Sequence, residues 1–194
     1  MQHQPEFAIK DTSMRNNRKL VSGTEDDFLS LLSLPRDLLR ELISTHIRNL
    51  WRVDGLYFLG IETRFGTEAA TEIDMDCWAS MAAIEARDLG RIFSVAGKTL
   101  EAVEKTLPFT SWYLDHPRKR FTKTTEALIF EVLECRTQMA RIKKSLPIFP
   151  CRRVREGYLV RFAAEFGCEC ICEVCPPGER DGEVWCRWRF REKP

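Results

Sequence analysis

Apolar residues recur at helical spacing over the first half of this chain. The pattern predicts a short helix that begins at Thr24, a long helix over residues 36–65 and another long helix over residues 67–95. Gly66 separates the two long helices and is a natural helix C-cap. The predicted apolar side of the second long helix includes Ile73, Cys77, Trp78, Met81 and Ile84.

Two further features describe this helical part. Gly55 and Gly60 lie inside the first long helix and predict a kink or a close approach of another helix there. The polar residues at the start of the chain have no such periodicity. We therefore predict a flexible tail over residues 1–23 and a helical region over residues 24–115.

The period of the pattern changes after residue 116. Leu128, Phe130 and Val132 occupy alternate positions, which is typical of a mostly buried strand. The predicted order is strands over 121–125 and 127–135, helices over 136–146 and 152–166, and strands over 168–174 and 184–190. We predict an α+β protein, in which an N-terminal helical bundle precedes a β-β-α-α-β-β antiparallel sheet unit. This unit forms a cysteine-rich domain over residues 116–194.

Composition narrows the class of protein. The 194 residues are 44% hydrophobic, which is enough for a core in one large domain or two small ones. Thirty basic and 29 acidic residues give a net charge of +1, so charge gives no reason to expect a nucleic-acid partner. No apolar run reaches the roughly 20 residues of a membrane helix. The polar N-terminus lacks the apolar part of a secretion signal, so we expect a cytoplasmic protein with reduced thiols.

Six of the eight cysteines lie in the last quarter of the chain. Strand geometry puts Cys168, Cys170 and Cys172 on one face and Glu169 and Glu173 on the other. The arginines of the final strand can pair with these glutamates across the solvent face. The cysteine face then meets the core, where the first two cysteines either pack as small hydrophobic side chains or join a thiol site.

Four cysteines are the candidate metal ligands. Cys172 and Cys175 form a Cys-x-x-Cys motif followed by two prolines, and Cys186 returns across a short hairpin. Cys151, at the junction of two helices, can supply a fourth sulfur. Four thiolates suit zinc or an iron–sulfur cluster. A redox or nucleophilic thiol and simple core packing are the alternatives.

Carboxylates lie among aromatic residues in the helical region. Asp54 and Glu62 share one helical stripe with aromatic side chains. Glu85 shares another stripe with Trp78, and Asp74 lies one turn before it. Because buried carboxylates must be paired, hydrogen-bonded or bound to metal, we expect a pocket for a small molecule or a cation, or salt bridges between helices. The expected cationic partners are Arg52, Arg64, Arg87 and His46.

The segment over residues 116–120 is short and basic, and it predicts a solvated loop in which His116 is exposed to water. The sequence contains no Gly-x-Ser-x-Gly motif, P-loop or dinucleotide fingerprint. The residues therefore predict no familiar catalytic class.

Several motifs together point to a family. They are WRVDGLYFLGIETRFG, EIDMDCWASMAAIEARDL, ECRTQMAR, PIFPC, CEVCPP and WCRWRF, and they span about residues 46–190. The chain resembles an uncharacterised family of small cytosolic proteins of anaerobic bacteria and archaea. More loosely, it is similar to the L-2-amino-thiazoline-4-carboxylate hydrolase-like family, which implies the opening of a small heterocyclic ring. Cys168 and Cys170 are additions to the family pattern, whereas Cys135 and the four candidate ligands fit it.

Our first hypothesis is a metal-binding protein with zinc or an iron–sulfur cluster at the four cysteines and a small-molecule pocket between its two halves. Asp54, Asp74 and Trp78 would bind the small molecule. The alternative is a hydrolase for a heterocyclic C–N bond, with a cysteine or metal-bound water as nucleophile and Glu62 or Glu85 as acid/base. A thiol-based redox or interaction module is the third hypothesis. We expect no nucleic-acid or membrane partner, and a homo-oligomer is compatible with each hypothesis.

Overall fold

The computed structural model describes residues 25–193, so the predicted tail and the predicted cap at Thr24 lie outside the described residues. The helices are α1 (Glu25–Leu32), α2 (Arg36–Ile92), α3 (Leu100–Thr106), α4 (Ser111–Asp115), α5 (Arg136–Lys143) and α6 (Cys151–Glu165), with a 3₁₀ turn over Leu107–Phe109. The strands are β1 (Arg118–Lys123), β2 (Leu128–Glu134), β3 (Cys168–Val174) and β4 (Cys186–Glu192). The predicted α+β class and the β-β-α-α-β-β order are confirmed.

Helix α2 consists of two helical arms joined at Gly66. Among residues 36–92 only Gly66 has non-helical dihedrals, and its φ of 87° and ψ of 165° fall in a region that is essentially restricted to glycine. The chain reverses direction at Gly66. The evidence is a hydrogen bond of 2.9 Å that Trp78 Nε1 donates to Asp54 Oδ1 across the two arms. A straight helix would separate these two residues by about 36 Å. The predicted break is confirmed. At Gly55 and Gly60 the structure shows neither the predicted kink, since both residues keep helical dihedrals, nor the predicted close approach, since among the described residues no other helix lies within 4 Å of a Cβ at either position.

The buried side of the second arm differs from the prediction. Ile73, Met81 and Ile84 are exposed, and the buried positions are occupied mainly by small residues. These buried residues are Ala70, Thr71, Asp74, Trp78, Ala82, Ala83 and Ala86. Alanine has a small side chain, so a helix face rich in alanine can pack closely against neighbouring elements. The buried face of this arm is therefore the face with the small residues and not the face with the large apolar ones.

The four strands form one antiparallel sheet in the order β1-β2-β4-β3. One face is a dense apolar layer in which Phe130, Trp188 and Phe190 have no exposed surface. The opposite face carries ion pairs between neighbouring strands, and Arg191 pairs with Glu169 while Arg189 pairs with Glu173. The predicted ladder of acids and arginines is therefore confirmed.

The division between two compact units falls between Leu42 and Ile43. The second unit contains the whole sheet and a hydrophobic core that runs from Phe58 through Tyr158 and Phe162 of α6 to Phe190. The predicted boundary at residue 116 stays a prediction, and this core includes residues from both sides of it. Of the helices in residues 25–193, none combines the length and the apolar character that a membrane span requires.

Candidate functional site

Two tryptophans from the two arms of α2 form an aromatic stack. The rings of Trp51 and Trp78 are parallel, with 4.5 Å between their centroids and 2° between their planes. The Trp51 indole N–H donates to the carbonyl oxygen of Ser111 at 3.1 Å, and the Trp78 indole N–H is bonded to Asp54. These hydrogen bonds fix the orientation of both rings.

Arg155 of α6 lies next to this stack. Its Cζ atom is 4.6 Å from the ring centroid of each of Trp51 and Trp78, which is cation–π distance. The residue is only 4% exposed, yet its Nη1 has no hydrogen-bond partner among the described residues. Leaving a buried donor unsatisfied costs about 1–3 kcal/mol, and more for a charged group. The structure therefore holds an unused, buried cationic donor.

Asp74 is buried near Asp54, Trp78 and Arg155. It is 8% exposed, and its Oδ2 has no hydrogen-bond partner among residues 25–193. Burial raises the pKa of Asp74 to about 7, with Asp54 adding to the rise and the Arg155 charge opposing it. The Asp74 carboxyl can consequently gain or lose a proton near neutral pH.

A cavity of about 430 Å³ adjoins Arg155. Trp51, Phe58, Leu59 and Phe149 give it an apolar surface. Its basic lining residues are Arg48, Arg52, Arg136, Arg141, Lys144 and Arg155, and its acidic ones are Asp54 and Asp115. The volume falls in the range of small-molecule sites, and the excess of basic groups favours an anion.

Glu62 has a complete set of partners. Both of its oxygens accept hydrogen bonds from Arg141, at 2.9 and 3.0 Å, and Oε1 also accepts one from the Thr67 hydroxyl at 3.0 Å. The hydrogen bonds from Arg141 lower the pKa of the Glu62 carboxyl, although burial opposes them. Glu62 therefore ties α2 to α5.

Glu85 is equally well bonded. Its Oε2 accepts a hydrogen bond from the Tyr158 hydroxyl at 2.6 Å, and its Oε1 accepts one from the Ser111 backbone N–H at 2.8 Å. These bonds connect α2 with α4 and α6. The structure brings Asp54, Asp74 and Trp78 together but gives Glu62 and Glu85 separate structural contacts, so the predicted catalytic roles of the two glutamates stay predictions.

The cationic partners predicted for the carboxylates are wrong. Arg52 donates to Asn49 and Arg64 donates to the carbonyl oxygen of Gly60, both within their own helix. His46 and Arg87 are exposed. The actual partners come from distant elements that local spacing on α2 does not indicate.

Arg155 had a detectable signal in the sequence. In α6 the buried residues Cys151, Val154, Tyr158 and Leu159 follow the three- and four-residue spacing of one helix face, and Arg155 falls inside that stripe. A charged residue within an apolar stripe is a candidate for a buried functional group.

His116 contradicts the predicted solvated loop. It is 6% exposed, its ring lies edge-on to Trp112, and neither ring nitrogen has a hydrogen-bond partner among the described residues. Burial, followed by the positive charges of Arg155 and Lys119, lowers the pKa of His116 to about 3. Strand β1 begins at Arg118, so the basic segment is partly sheet rather than loop.

Cys135, Cys151, Cys172, Cys175 and Cys186, here called the cysteine cluster, lie close enough to influence one another. The Cys175 thiol is within hydrogen-bonding reach of the thiols of Cys151 and Cys172, which raises its pKa and lowers theirs. All eight cysteines are free. Within residues 25–193, no group of three or more His, Cys, Asp or Glu side chains is arranged to hold a metal ion. The predicted zinc or iron–sulfur site therefore stays a prediction.

The remaining candidate thiols are placed differently. Cys168 and Cys170 lie on the buried face of β3, and Cys170 is opposite Phe190. Burial raises the pKa of Cys168 to about 11. Both thiols have the surroundings of packed hydrophobic side chains.

The fold and the site together define an α+β protein that has a basic cavity and a cluster of five cysteines, four of them buried. The chain belongs to the Family of unknown function (DUF6125), whose family model matches residues 32–192. Membership of an uncharacterised family, predicted from the sequence motifs, is thereby confirmed. No curated protein and no solved structure matches the chain.

Proposed function

We propose that this protein binds a small anionic molecule that has an apolar or aromatic body. The observation that carries the proposal is the buried guanidinium of Arg155, whose Nη1 has no partner among the described residues and which lines the cavity. A carboxylate or phosphate oxygen is the group that a guanidinium donor binds most strongly. A ligand oxygen at Nη1 would complete the hydrogen bonding of this side chain.

The apolar body of the ligand follows from the rest of the lining. Phe58 and Phe149 pack edge to face at 4.8 Å, and Trp51 is held in a fixed orientation. Small-molecule sites commonly combine such apolar walls with a few polar groups that set the orientation of the ligand. We therefore expect affinity to require both the negative charge and the apolar part.

Benzoate and its neutral counterpart benzamide are suitable probes. They have similar shapes and differ in charge, so their comparison isolates the contribution of the anion. We expect benzoate to shift the indole N–H resonances of the ¹⁵N-labelled protein at lower concentration than benzamide. Arg155→Met should weaken benzoate binding by about 10–100-fold, because a hydrogen bond to a charged group contributes about 1.5–3 kcal/mol.

The matched control is Arg64→Met, which removes an exposed arginine of α2 that bonds only within its own helix. The proposal fails if benzamide binds as well as benzoate, or if the Arg155 and Arg64 variants bind benzoate equally. Thermal unfolding of both variants checks that each is folded.

A second candidate is a hydrolase that adds water across a C–N bond of a small heterocyclic carboxylate. The observation that favours it is Asp74, because a carboxyl whose pKa is about 7 suits general acid–base catalysis near neutral pH. The looser resemblance to thiazoline-carboxylate hydrolases points the same way. Ring opening of 2-amino-thiazoline-4-carboxylate that is lost in Asp74→Asn would support it, and no turnover by the folded wild-type protein would rule this substrate out.

The remaining expectations also belong to this proposal. We expect a cytoplasmic protein that occurs in anaerobic bacteria and archaea. We also expect no nucleic-acid or membrane partner, and assembly into a homo-oligomer is compatible with the proposal. None of them is needed for the ligand site, and each stays a prediction.

A further inference from the structure

The cysteine cluster supports an inference that goes beyond the proposed anion site. We propose that Cys151, Cys172, Cys175 and Cys186 bind one zinc ion as four thiolates. Four cysteine thiolates in a tetrahedron are a common structural zinc site. The argument rests on where the backbone holds these residues and on what surrounds their sulfurs.

The backbone holds Cys151 beside Cys175. Cys151 is the first residue of α6, and the next residue, Arg152, donates its backbone N–H to the carbonyl oxygen of Pro176 at 2.9 Å. This hydrogen bond ties the first turn of the helix to the loop that directly follows Cys175. It therefore brings the backbone of Cys151 close to that of Cys175.

The sheet supplies the other two sulfurs. Cys172 is opposite Trp188 in the β3–β4 pair, and a shift of register follows immediately after Cys172. Such an irregularity bends the strand end and redirects its side chains. Cys186 lies two residues before Trp188 on the same buried face of β4. The hairpin therefore presents both sulfurs to the start of α6.

Groups beside the cysteines suit a four-thiolate zinc site. The buried indole N–H of Trp188 lies near the Cys186 sulfur and has no hydrogen-bond partner of good geometry among the described residues. Metal-bound thiolates accept such N–H groups as supporting contacts. Arg155 acts on Cys151 and Arg152 acts on Cys172, so two positive charges offset the negative charge of a four-thiolate zinc site.

The backbone selects four ligands among the five cysteines of the cluster. The β3–β4 hairpin carries Cys172, Cys175 and Cys186, and the Arg152–Pro176 hydrogen bond joins it to Cys151 at the start of α6, whereas Cys135 lies at the start of α5. In residues 25–193 the thiols are not set at coordination positions. Zinc binding as four thiolates releases the S–H proton of each ligand to solvent, and it requires the four side chains to turn toward one point.

The test uses the full-length protein, purified without oxygen and with a phosphine reductant. Elemental analysis should find about one zinc per chain and no acid-labile sulfide. After removal of zinc, titration with Co²⁺ should give the intense visible bands of tetrahedral cobalt and a sulfur-to-cobalt charge-transfer band. Loss of a residue that only hydrogen-bonds to a metal ligand weakens metal binding by roughly 10–100-fold. Cys175→Ser and Cys186→Ser each remove a ligand, so each should weaken zinc binding by more than that.

Cys170→Ser is the matched control, because it alters a buried cysteine of the same strand that lies outside the cysteine cluster. It should keep about one zinc per chain, as expected for a closed structural site. The proposal is overturned if the wild-type protein binds neither Zn²⁺ nor Co²⁺ stoichiometrically, or if the control loses as much zinc as the ligand variants. Iron with acid-labile sulfide at the same cysteines would also overturn it, in favour of a cluster. The cobalt spectrum of the wild-type protein tests the zinc site even if a variant fails to fold.

Discussion

Arg141 and Arg155 are two buried arginines that line one cavity, yet they are bonded very differently. Arg141 donates Nε to the carbonyl oxygen of Pro147 and both terminal nitrogens to Glu62. Arg155 lies at cation–π distance from two tryptophan rings, and its Nη1 has no hydrogen-bond partner among the described residues. Their exposures are nearly equal, at 5% and 4%, so burial does not distinguish them.

The difference lies in hydrogen bonding. Buried polar groups in folded proteins are almost always satisfied, and each exception calls for an explanation. The hydrogen bonds of Arg141 all go to other parts of the protein, as expected for a structural residue. Arg155 has a donor nitrogen without a partner among the described residues, as expected for a residue that binds a ligand. We expect loss of Arg141 to reduce stability and loss of Arg155 to reduce binding, and the substitutions below test that division.

Arg141→Met should have the largest effect on stability. It leaves the Glu62 carboxylate, whose side chain is only 14% exposed, without its counter-charge. Breaking a buried ion pair from one side costs about 3–5 kcal/mol of unfolding free energy. Urea denaturation measures this loss. Arg153→Met is the control, because its pair with Glu68 is exposed and should contribute at most about 1 kcal/mol. Equal losses in the two variants would contradict the structural role of Arg141.

Asp74→Asn should remove a pH dependence of stability. The folded-state pKa of Asp74 is raised to about 7, so the folded chain holds a proton there that the unfolded chain releases above about pH 4. This contribution is complete below about pH 4 and is lost as the pH rises to about 7, by up to about 4 kcal/mol.

Urea denaturation at pH 5 and pH 8 measures the effect. The wild type should lose stability between these values, and Asp74→Asn should lose less. Asp88→Asn, at an exposed ion pair with Arg91, is the control and should follow the wild type. An unchanged pH slope in Asp74→Asn would mean that Asp74 stays ionised in the folded chain.

Glu85→Gln should have a smaller effect than these two. Glutamine can still accept one hydrogen bond, but the charge that strengthens the 2.6 Å bond from Tyr158 is lost. Hydrogen bonds to charged groups contribute about 1.5–3 kcal/mol, so we expect a loss of about 2 kcal/mol in chemical denaturation. Glu72→Gln on the exposed side of α2 should be neutral. A fully stable Glu85→Gln would free Glu85 for the catalytic role predicted from the sequence.

Arg155→Met should change stability least. Methionine keeps the contact with the tryptophan rings, and replacing a poorly satisfied buried charge with an apolar group is often neutral. We expect a change of about 1 kcal/mol or less in unfolding free energy, together with the loss of benzoate binding described above. A loss as large as that of Arg141→Met would remove the distinction between the two arginines.

The sequence predicted what depends on local pattern. The two-residue period placed Cys168 and Cys170 on the buried face of β3, and it paired Glu169 and Glu173 with the arginines of β4. Gly66 was predicted as a break because glycine tolerates backbone angles that other residues avoid. These features involve neighbours within one strand, one hairpin or one turn.

The candidate site could be predicted only in part, because it is assembled from distant segments. The pairing of Asp54 with Trp78 follows from the reversal at Gly66, and Arg155 arrives from α6. Large apolar residues such as Met81 were predicted to be buried, but close packing selected alanines instead. Local periodicity carries no information on which helix will approach a given carboxylate.

Because the chain reverses at Gly66, the site depends on the number of residues between Gly66 and each site residue. Asp54 lies twelve residues before Gly66, and Trp78 lies twelve residues after it. One residue inserted into either arm would move its end by about 1.5 Å along the axis and turn it by about 100°. Trp78 would then face away from Asp54, and the stacked partner of Trp51 would be lost. Asp54 and Trp78 meet because their spacings from Gly66 are equal, and a relative that keeps the Trp51–Trp78 stack should keep both spacings.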